Sequence, residues 1–214
     1  NVVALPYLTV DQRNIFYLAS QDQYDRTRAD LRAIPEGTYR VIYAGWGSEE
    51  DLDHLVAAHP GDLSNVIVLE DQGLNSQYGA GIKTTDQARN LESLGSKPAA
   101  LILGDTEPGA VPSVAMVDDT VSLTTVSITK KERDALVEAI NASATGSIEI
   151  TLTHADPRPA TSTPVVYPTS SWGVSPDLTL KPEITAPGGN ILSAGIGKSY
   201  DYMTGTSQAT PHVA

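Results

Sequence analysis

The sequence predicts an α/β fold, on three observations. Short apolar runs at residues 39–44, 66–69, 99–103 and 148–152 have the length and composition of buried strands. Segments with apolar residues at helical spacing alternate with them, carrying Leu52, Leu55 and Val56, then Ala88, Leu91 and Leu94, then Leu136, Val137 and Ile140. The connections are short and punctuated by turn residues such as Pro60-Gly61 and Gly95. Strand and helix in alternation give a layered α/β architecture.

Taken in order, residues 1–37 carry the weakest pattern. The apolar stretch 2–8 is broken by Pro6, which suits an edge strand or a linker. Residues 21–32 alternate in charge (Asp22, Asp25, Arg26, Arg28, Asp30, Arg32) and read as a solvated helix. Pro35-Glu36-Gly37 is a turn, and the strand 39–44 follows. Ser48-Glu49-Glu50-Asp51 opens a helix with acids in its first turn, where the helix dipole favours them. After the strand 66–69, Thr84-Thr85-Asp86-Gln87 offers a capping box for the next helix. Strand-like runs recur at 99–103, 114–117 and 123–128. Thr129-Lys130-Lys131-Glu132 offers a second capping box, and 148–152 is a last strand before a Pro/Thr/Ser-rich connection at 156–164.

Composition narrows the function. At 214 residues the chain has room for one large domain or two small ones. With 26 acidic and 14 basic residues its net charge is -12, which argues against nucleic acid as a partner. Zero cysteines excludes a disulfide framework and a thiol nucleophile. No apolar run reaches the length of a membrane span. The first residue is Asn1, and no charged-then-apolar signal segment follows it.

The chemistry concentrates at the end of the chain. Gly205-Thr206-Ser207 is a small turn that delivers a hydroxyl to the start of a helix, where unpaired N–H groups favour developing negative charge. The eight positions Gly205, Thr206, Ser207, Ala209, Pro211, His212, Val213 and Ala214 together resemble the block that carries the catalytic serine in subtilisin-like serine proteases, the subtilases. At average residue usage such a coincidence arises on the order of once in a billion windows. Lys181-Pro182-Glu183-Ile184-Thr185-Ala186-Pro187-Gly188 resembles the strand and turn that precede that block, and Ser170-Ser171-Trp172-Gly173 resembles another family segment. Where the family commonly has Met and Ala, Gln208 and Thr210 stand here.

The resemblance implies Ser207 as nucleophile and His212 as a structural histidine of the serine helix. None of the four histidines (His54, His59, His154, His212) lies in the setting of the family's base. The first-block Asp and the oxyanion Asn have no counterpart, and Asn190 falls in the wrong place for the latter. The expectation is a fragment, with the serine helix continuing beyond Ala214. The order of elements from residue 38 resembles the protease-associated domain that many large subtilases carry, with Lys83, Ala88, Gly95, Ala99, Ala100 and Val126-Ser127-Ile128-Thr129 fitting its frame. The expected organisation is therefore a catalytic-domain segment or linker at 1–37, a protease-associated insert at 38–153, and the C-terminal part of a subtilase catalytic domain at 154–214. The fold implied is a subtilisin-like fragment, the serine helix and its preceding strands, with an inserted α/β domain.

Other constellations are less specific. Gly195-Ile196-Gly197-Lys198-Ser199 lacks the first glycine of a phosphate loop, because Leu192 stands there, and no apolar helix follows. Gly45-Trp46-Gly47 and Gly79-Ala80-Gly81 read as loop glycines, and Trp46 as a packing residue. His54 and His59 lack partners at metal-ligand spacing, and the acid runs Glu49-Glu50-Asp51 and Asp118-Asp119 read as solvated, so no metal and no cofactor is expected. Two functions remain. One is part of a serine endopeptidase acting through an acyl-enzyme on Ser207, with protein or peptide substrates, the remainder of the catalytic domain as partner and, by resemblance, an extracellular location. The other is a substrate-positioning or protein-interaction module in which Ser207 is inert.

Overall fold

Apolar runs without a polar alternate face need cover on both sides, and the chain supplies it by threading helices across a central sheet. The computed structural model describes residues 3–10, 12–22, 27–73, 82–109, 112–160, 166, 170–171, 173–179, 181–189, 191–195 and 200–214. The strands β1 (Val3–Leu5), β2 (Tyr7–Val10), β3 (Arg13–Phe16) and β4 (Leu18–Ala19) come first, then a 3-10 turn at Leu31–Ala33. There follow β5 (Gly37–Tyr43), α1 (Glu49–Ala58), β6 (Val66–Gln72), α2 (Thr84–Glu92), β7 (Ala100–Asp105), β8 (Thr125–Ile128), α3 (Lys130–Ala142) and β9 (Ser147–Leu152). The chain ends with β10 (Arg158–Ala160), β11 (Ile191–Ala194), β12 (Tyr200–Met203) and α4 (Thr206–Ala209), which runs on as a 3-10 turn, Thr210–His212. The predicted Trp172, Asn190, Gly79-Ala80-Gly81 and residues 196–199 of the glycine-lysine stretch lie outside the described residues.

One eight-stranded sheet has the order β3-β2-β9-β5-β6-β7-β8-β4. Its centre, β5 to β8, is parallel, and antiparallel strands flank it on both sides. Side chains alternate between the faces as the two-residue strand period requires. Ile42, Val68, Leu101 and Leu103 pack with Leu52 and Leu55 of α1 and Leu91 of α2. Val41, Ile67, Leu69 and Ile102 pack on the other face with Leu136 and Ile140 of α3. The α/β class expected from the alternating pattern is the observed one.

Residues 1–37, read from the sequence as a catalytic segment or linker, put β2, β3 and β4 into this sheet. Their short strands join its two ends, and Leu8, Ile15 and Tyr17 are as buried as the central strands. The predicted solvated helix over 21–32 is not what residues 21–22 and 27–32 form. Gln21 bridges to Thr27 and Met116, and the Arg28 guanidinium donates to the carbonyls of Val117, Asp118 and Val121. Those charge-assisted bonds to a distant loop outweigh what a polar helix gains from its own side-chain pairs. The run 114–117 makes one bridge and no strand. Its backbone bonds go to Gln21, whose N–H donates to Ala115 O and whose carbonyl accepts from Val117 N.

The helix starts also divide. Ser48 and Asp51 form the reciprocal capping box. Thr129 accepts from Glu132 N, half of the predicted arrangement. At α2 the N-cap is Lys83, without a side-chain cap. The Thr84 and Thr85 hydroxyls instead donate to Met116 O, and Thr85 Oγ1 accepts from Asp118 N at 3.0 Å, so tertiary contact takes the groups that local capping would use.

Among the described residues, every buried hydrophobic side chain lies between Leu5 and Leu152. In the C-terminal part, Val166, Val174, Leu178, Ile184, Leu192, Tyr200 and Val213 are exposed. Limited proteolysis of the whole chain should therefore cut first within residues 154–180 and leave a resistant core of about residues 7–153, read by mass spectrometry of the fragments. Equal resistance along the chain would contradict this division. The ion pair of Arg133 with the buried Asp71 gives a second expectation. Arg133→Ala should cost about 3–5 kcal/mol in urea unfolding, whereas Lys130→Ala, which loses an exposed pair with Asp134, should cost about 0–1 kcal/mol.

Candidate active site around Ser207

Two of the motifs singled out in the sequence meet in space. The hairpin of β11 and β12, with Ile191 opposite Met203 and Ala194 opposite Tyr200, folds the chain back on itself. This brings the Ala186-Pro187-Gly188 turn against Gly205. Gly205 N–H donates to Gly188 O at 2.8 Å. A Cβ at Gly188 would lie 2.7 Å from Gly205 O and 3.0 Å from Ala209 Cβ, so glycine is what allows the two turns to touch.

Ser207 sits in the first turn of α4, exposed, with Gly205 O accepting from Gln208 N and Ala209 N behind it. The two departures from the family pattern are accommodated locally. Gln208 Nε2 reaches Met203 Sδ at 3.6 Å, and the Thr210 hydroxyl donates back to Thr206 O at 2.9 Å. The first ties the helix to β12, and the second satisfies a hydroxyl within the helix backbone.

None of the four histidines is hydrogen-bonded to Ser207. His212 Nδ1 is engaged by Gln208 O at 2.8 Å, one helical turn back. His154 lies against the sheet, its Nε2 bonded with Ile34 O at 2.8 Å and its N–H with Glu36. His59 follows α1, where burial and then the charge of Arg40 lower its pKa below the ordinary histidine value. Among the described residues no group of three or more His, Cys, Asp or Glu side chains could hold a metal ion, and no helix is long and apolar enough to cross a membrane.

A second polar assembly escaped the sequence reading, which treated 66–69 as a strand and stopped. The strand runs on through Glu70, Asp71 and Gln72, all buried. Asp71 accepts from Arg133 Nε at 2.7 Å, from Arg133 Nη2 at 2.6 Å and from Tyr43 OH at 2.8 Å. Burial and then this hydrogen bond raise the Tyr43 pKa above the usual tyrosine range. On the other face, Gln72 Nε2 donates to Asp105 Oδ1 at 2.8 Å, and Ser113 N–H donates to Asp105 Oδ2 at 2.8 Å. Burial raises the Asp105 pKa against those bonds. The signal available was Glu-Asp-Gln following Val-Ile-Val-Leu without a turn residue. This assembly joins strands, and no nucleophile stands beside a base in it.

Comparison with known proteins finds peptidases among the chain's relatives. The PIII-type proteinase of Lactococcus lactis subsp. cremoris (strain SK11) is 31% identical over 132 residues, 60% of this chain and 6% of that protein. The C5a peptidase of Streptococcus pyogenes serotype M18 is 42% identical over 62 residues, 25% of this chain and 5% of that protein. The chain thus spans a small fraction of the relatives it matches. Among solved structures, a zinc aminopeptidase from Bacillus subtilis superposes with a TM-score of 0.48 at 19% identity, over 75% of this chain and 33% of that one, a likeness too loose to carry an argument. The subtilase family model matches residues 103–214, from within β7 through the serine block, and with just over half of its length so matched the chain belongs to the subtilase family.

Proposed function

We propose that this chain is the C-terminal part of a subtilase catalytic unit that hydrolyses peptide bonds of protein or peptide substrates, with Ser207 as nucleophile. The observation that carries the reading is the exposed Ser207, on a turn held against Gly188 by the hydrogen bond and close approach described above. In the reaction Ser207 Oγ attacks the scissile carbonyl carbon while a histidine outside this chain takes its proton and an aspartate outside it orients that histidine. The Ser207 N–H, in the first helical turn, has no intrahelical acceptor and can stabilise the oxyanion. Collapse expels the amine, which receives the proton, and water then releases the acyl group. The exposed apolar residues of 154–214 are the surface that the remainder of the catalytic domain would cover, since isolated apolar side chains of this number gain from burial. An extracellular setting accompanies the reading by family resemblance.

The sheet unit fits an inserted protease-associated domain at 38–153, widened by the strands of residues 7–19. Its support is the pairing of β1 with β10, Val3 opposite Ala160 and Leu5 opposite Arg158. The chain enters and leaves the sheet side by side, as an insertion into another domain requires. Arg158 stacks over the Tyr7 ring, 5.2 Å from its centroid, at that crossing. The exposed acids Glu49 and Glu50 at the start of α1 would repel acidic substrate segments and tolerate basic ones.

The absence of a hydrogen-bonded base favours a second reading, an interaction module with Ser207 inert. In the parent enzyme Ser207→Ala should reduce turnover by at least about 10³-fold with folding unchanged; near-normal activity would dismiss the nucleophile. The isolated chain should not be labelled at Ser207 by a fluorophosphonate, and strong labelling would place a base within it. Replacing residues 6–157 of the parent by a short linker between β1 and β10 should preserve hydrolysis of small peptide esters and alter cleavage of folded proteins far more. Equal loss on both substrates would make the sheet unit part of the catalytic scaffold.

A further inference from the structure

Glu70 is fully buried at the C-terminal end of β6, and neither of its carboxyl oxygens has a hydrogen-bond partner. Its carboxyl lies against the side-chain amide of Gln87 on α2, which is also fully buried and whose Oε1 likewise has no partner. The orientation of that amide is dictated by its other end. Gln87 Nε2 donates to Trp46 O at 3.0 Å and to Asp71 O at 2.9 Å, and both partners, being carbonyls, can only accept. Both amide protons are therefore committed, and the atom left for Glu70 is the acceptor Oε1. The two Glu70 oxygens and Gln87 Oε1 are thus buried acceptors that lack a donor unless the carboxyl carries a proton.

We infer that Glu70 is held as a neutral carboxylic acid whose O–H donates to Gln87 Oε1, and that this proton latches the Gly45–Gly47 loop to the sheet. One proton supplies the missing donor, so Gln87 then uses both its N–H groups and its carbonyl oxygen. The charged surroundings agree. Asp51 of α1 and Asp71 of β6 are the titratable groups acting on Glu70, both acidic, while Gln87 of α2 is neutral. Asp71 is already neutralised by Arg133 on the opposite face of the sheet. Burial first, and then the negative charge of Asp51, raise the Glu70 pKa well above the ordinary glutamate value, against the lowering effect of the neighbouring Gln87 amide.

The loop is the element that responds. Asp51 Oδ2 accepts from Trp46 N–H and from Ser48, Gln87 holds Trp46 O, and Asn90 Nδ2 donates to Gly47 O at 3.3 Å. Gly47, at φ +68°, lies so close that a Cβ there would come within 2.2 Å of Glu70 Oε2. Ionising Glu70 would place a negative charge beside Asp51, at the point where Asp51 and Gln87 hold the loop. The inference concerns the sheet alone and stands whether or not Ser207 is catalytic.

Linkage fixes the sign. A folded protein that keeps a proton its unfolded chain releases loses stability as pH rises, from the unfolded glutamate pKa of about 4.3 up to the raised folded value. The test uses the full chain with Trp172→Phe, which leaves Trp46 as the single tryptophan. Trp46 emission and the urea midpoint are followed from about pH 4 to about pH 9, below the tyrosine range, with and without Glu70→Gln. The substitution replaces the O–H by an amide N–H that donates to Gln87 Oε1 at every pH. The protein with Glu70 should show a transition in Trp46 emission and a urea midpoint that falls with pH beyond what Glu70→Gln shows. The carboxyl carbon of Glu70, followed by NMR in the unsubstituted chain, should remain in its protonated position above the ordinary glutamate range. The inference is overturned by a carboxyl carbon that titrates in the ordinary range, by equal pH dependence with and without Glu70→Gln, or by a calcium-dependent stabilisation that Glu70→Gln abolishes, which would mean an ionised Glu70 holding a cation.

Discussion

A strand buried along all seven of its residues has no solvent side on which to keep a polar group, and β6 is such a strand. Its first four residues meet the condition by being Val, Ile, Val and Leu. Of its last three, Asp71 and Gln72 meet it through hydrogen-bond partners on other elements, and Glu70 sits beside a third. Asp71 requires Arg133 from α3, Gln72 requires Asp105 from β7, and Glu70 lies against Gln87 from α2. An unpartnered charge there would cost several kcal/mol, so these partners locate both helix layers relative to the sheet. Gly104 is part of the same constraint: a Cβ there would lie 2.2 Å from Arg133 Cγ, in the space the arginine stem occupies on its way to Asp71.

The sheet and the serine segment differ in physical character. The first has two apolar layers with most side chains out of water. The second is held by backbone bonds between turns, by the β11–β12 hairpin and by side-chain bonds within α4, and among its described residues Val166, Val174, Leu178, Ile184, Leu192, Tyr200 and Val213 are exposed. An isolated two-stranded hairpin is marginal in water. The β1–β10 ribbon lies at the crossing between the two parts, and its pairing includes Pro159, which offers no N–H to the ladder.

The serine turn shows what a local motif can and cannot prepare. Contact between Gly188 and Gly205 sets the backbone on which Ser207 stands, and His212 is committed to a carbonyl of its own helix. Nucleophilicity of a serine depends on a neighbouring base that removes its proton, and that is a tertiary property.

By itself the sequence determined the α/β alternation, the three helices with one apolar face, and the motif that identifies the serine turn. Each depends on residues near one another along the chain: period-two and period-3.6 patterns, the acidic helix start at Ser48-Glu49-Glu50-Asp51, the Gly-Thr-Ser block. Tertiary structure decided the rest, because in those places the deciding partner is distant. Residues 7–19 look weak as strands until β9 and β8 provide ladders for them. Residues 27–32 have helical charge spacing, but Arg28 finds three carbonyls about ninety positions away. Thr84 and Thr85 have capping hydroxyls, but the carbonyl of Met116 competes for them. Glu70 reads as the polar end of a strand, and only the placement of α2 over it turns that carboxyl into a buried group facing an acceptor. In each of these places a far partner takes the group that a local bond would have used, and one-dimensional pattern carries no record of which distant group will arrive.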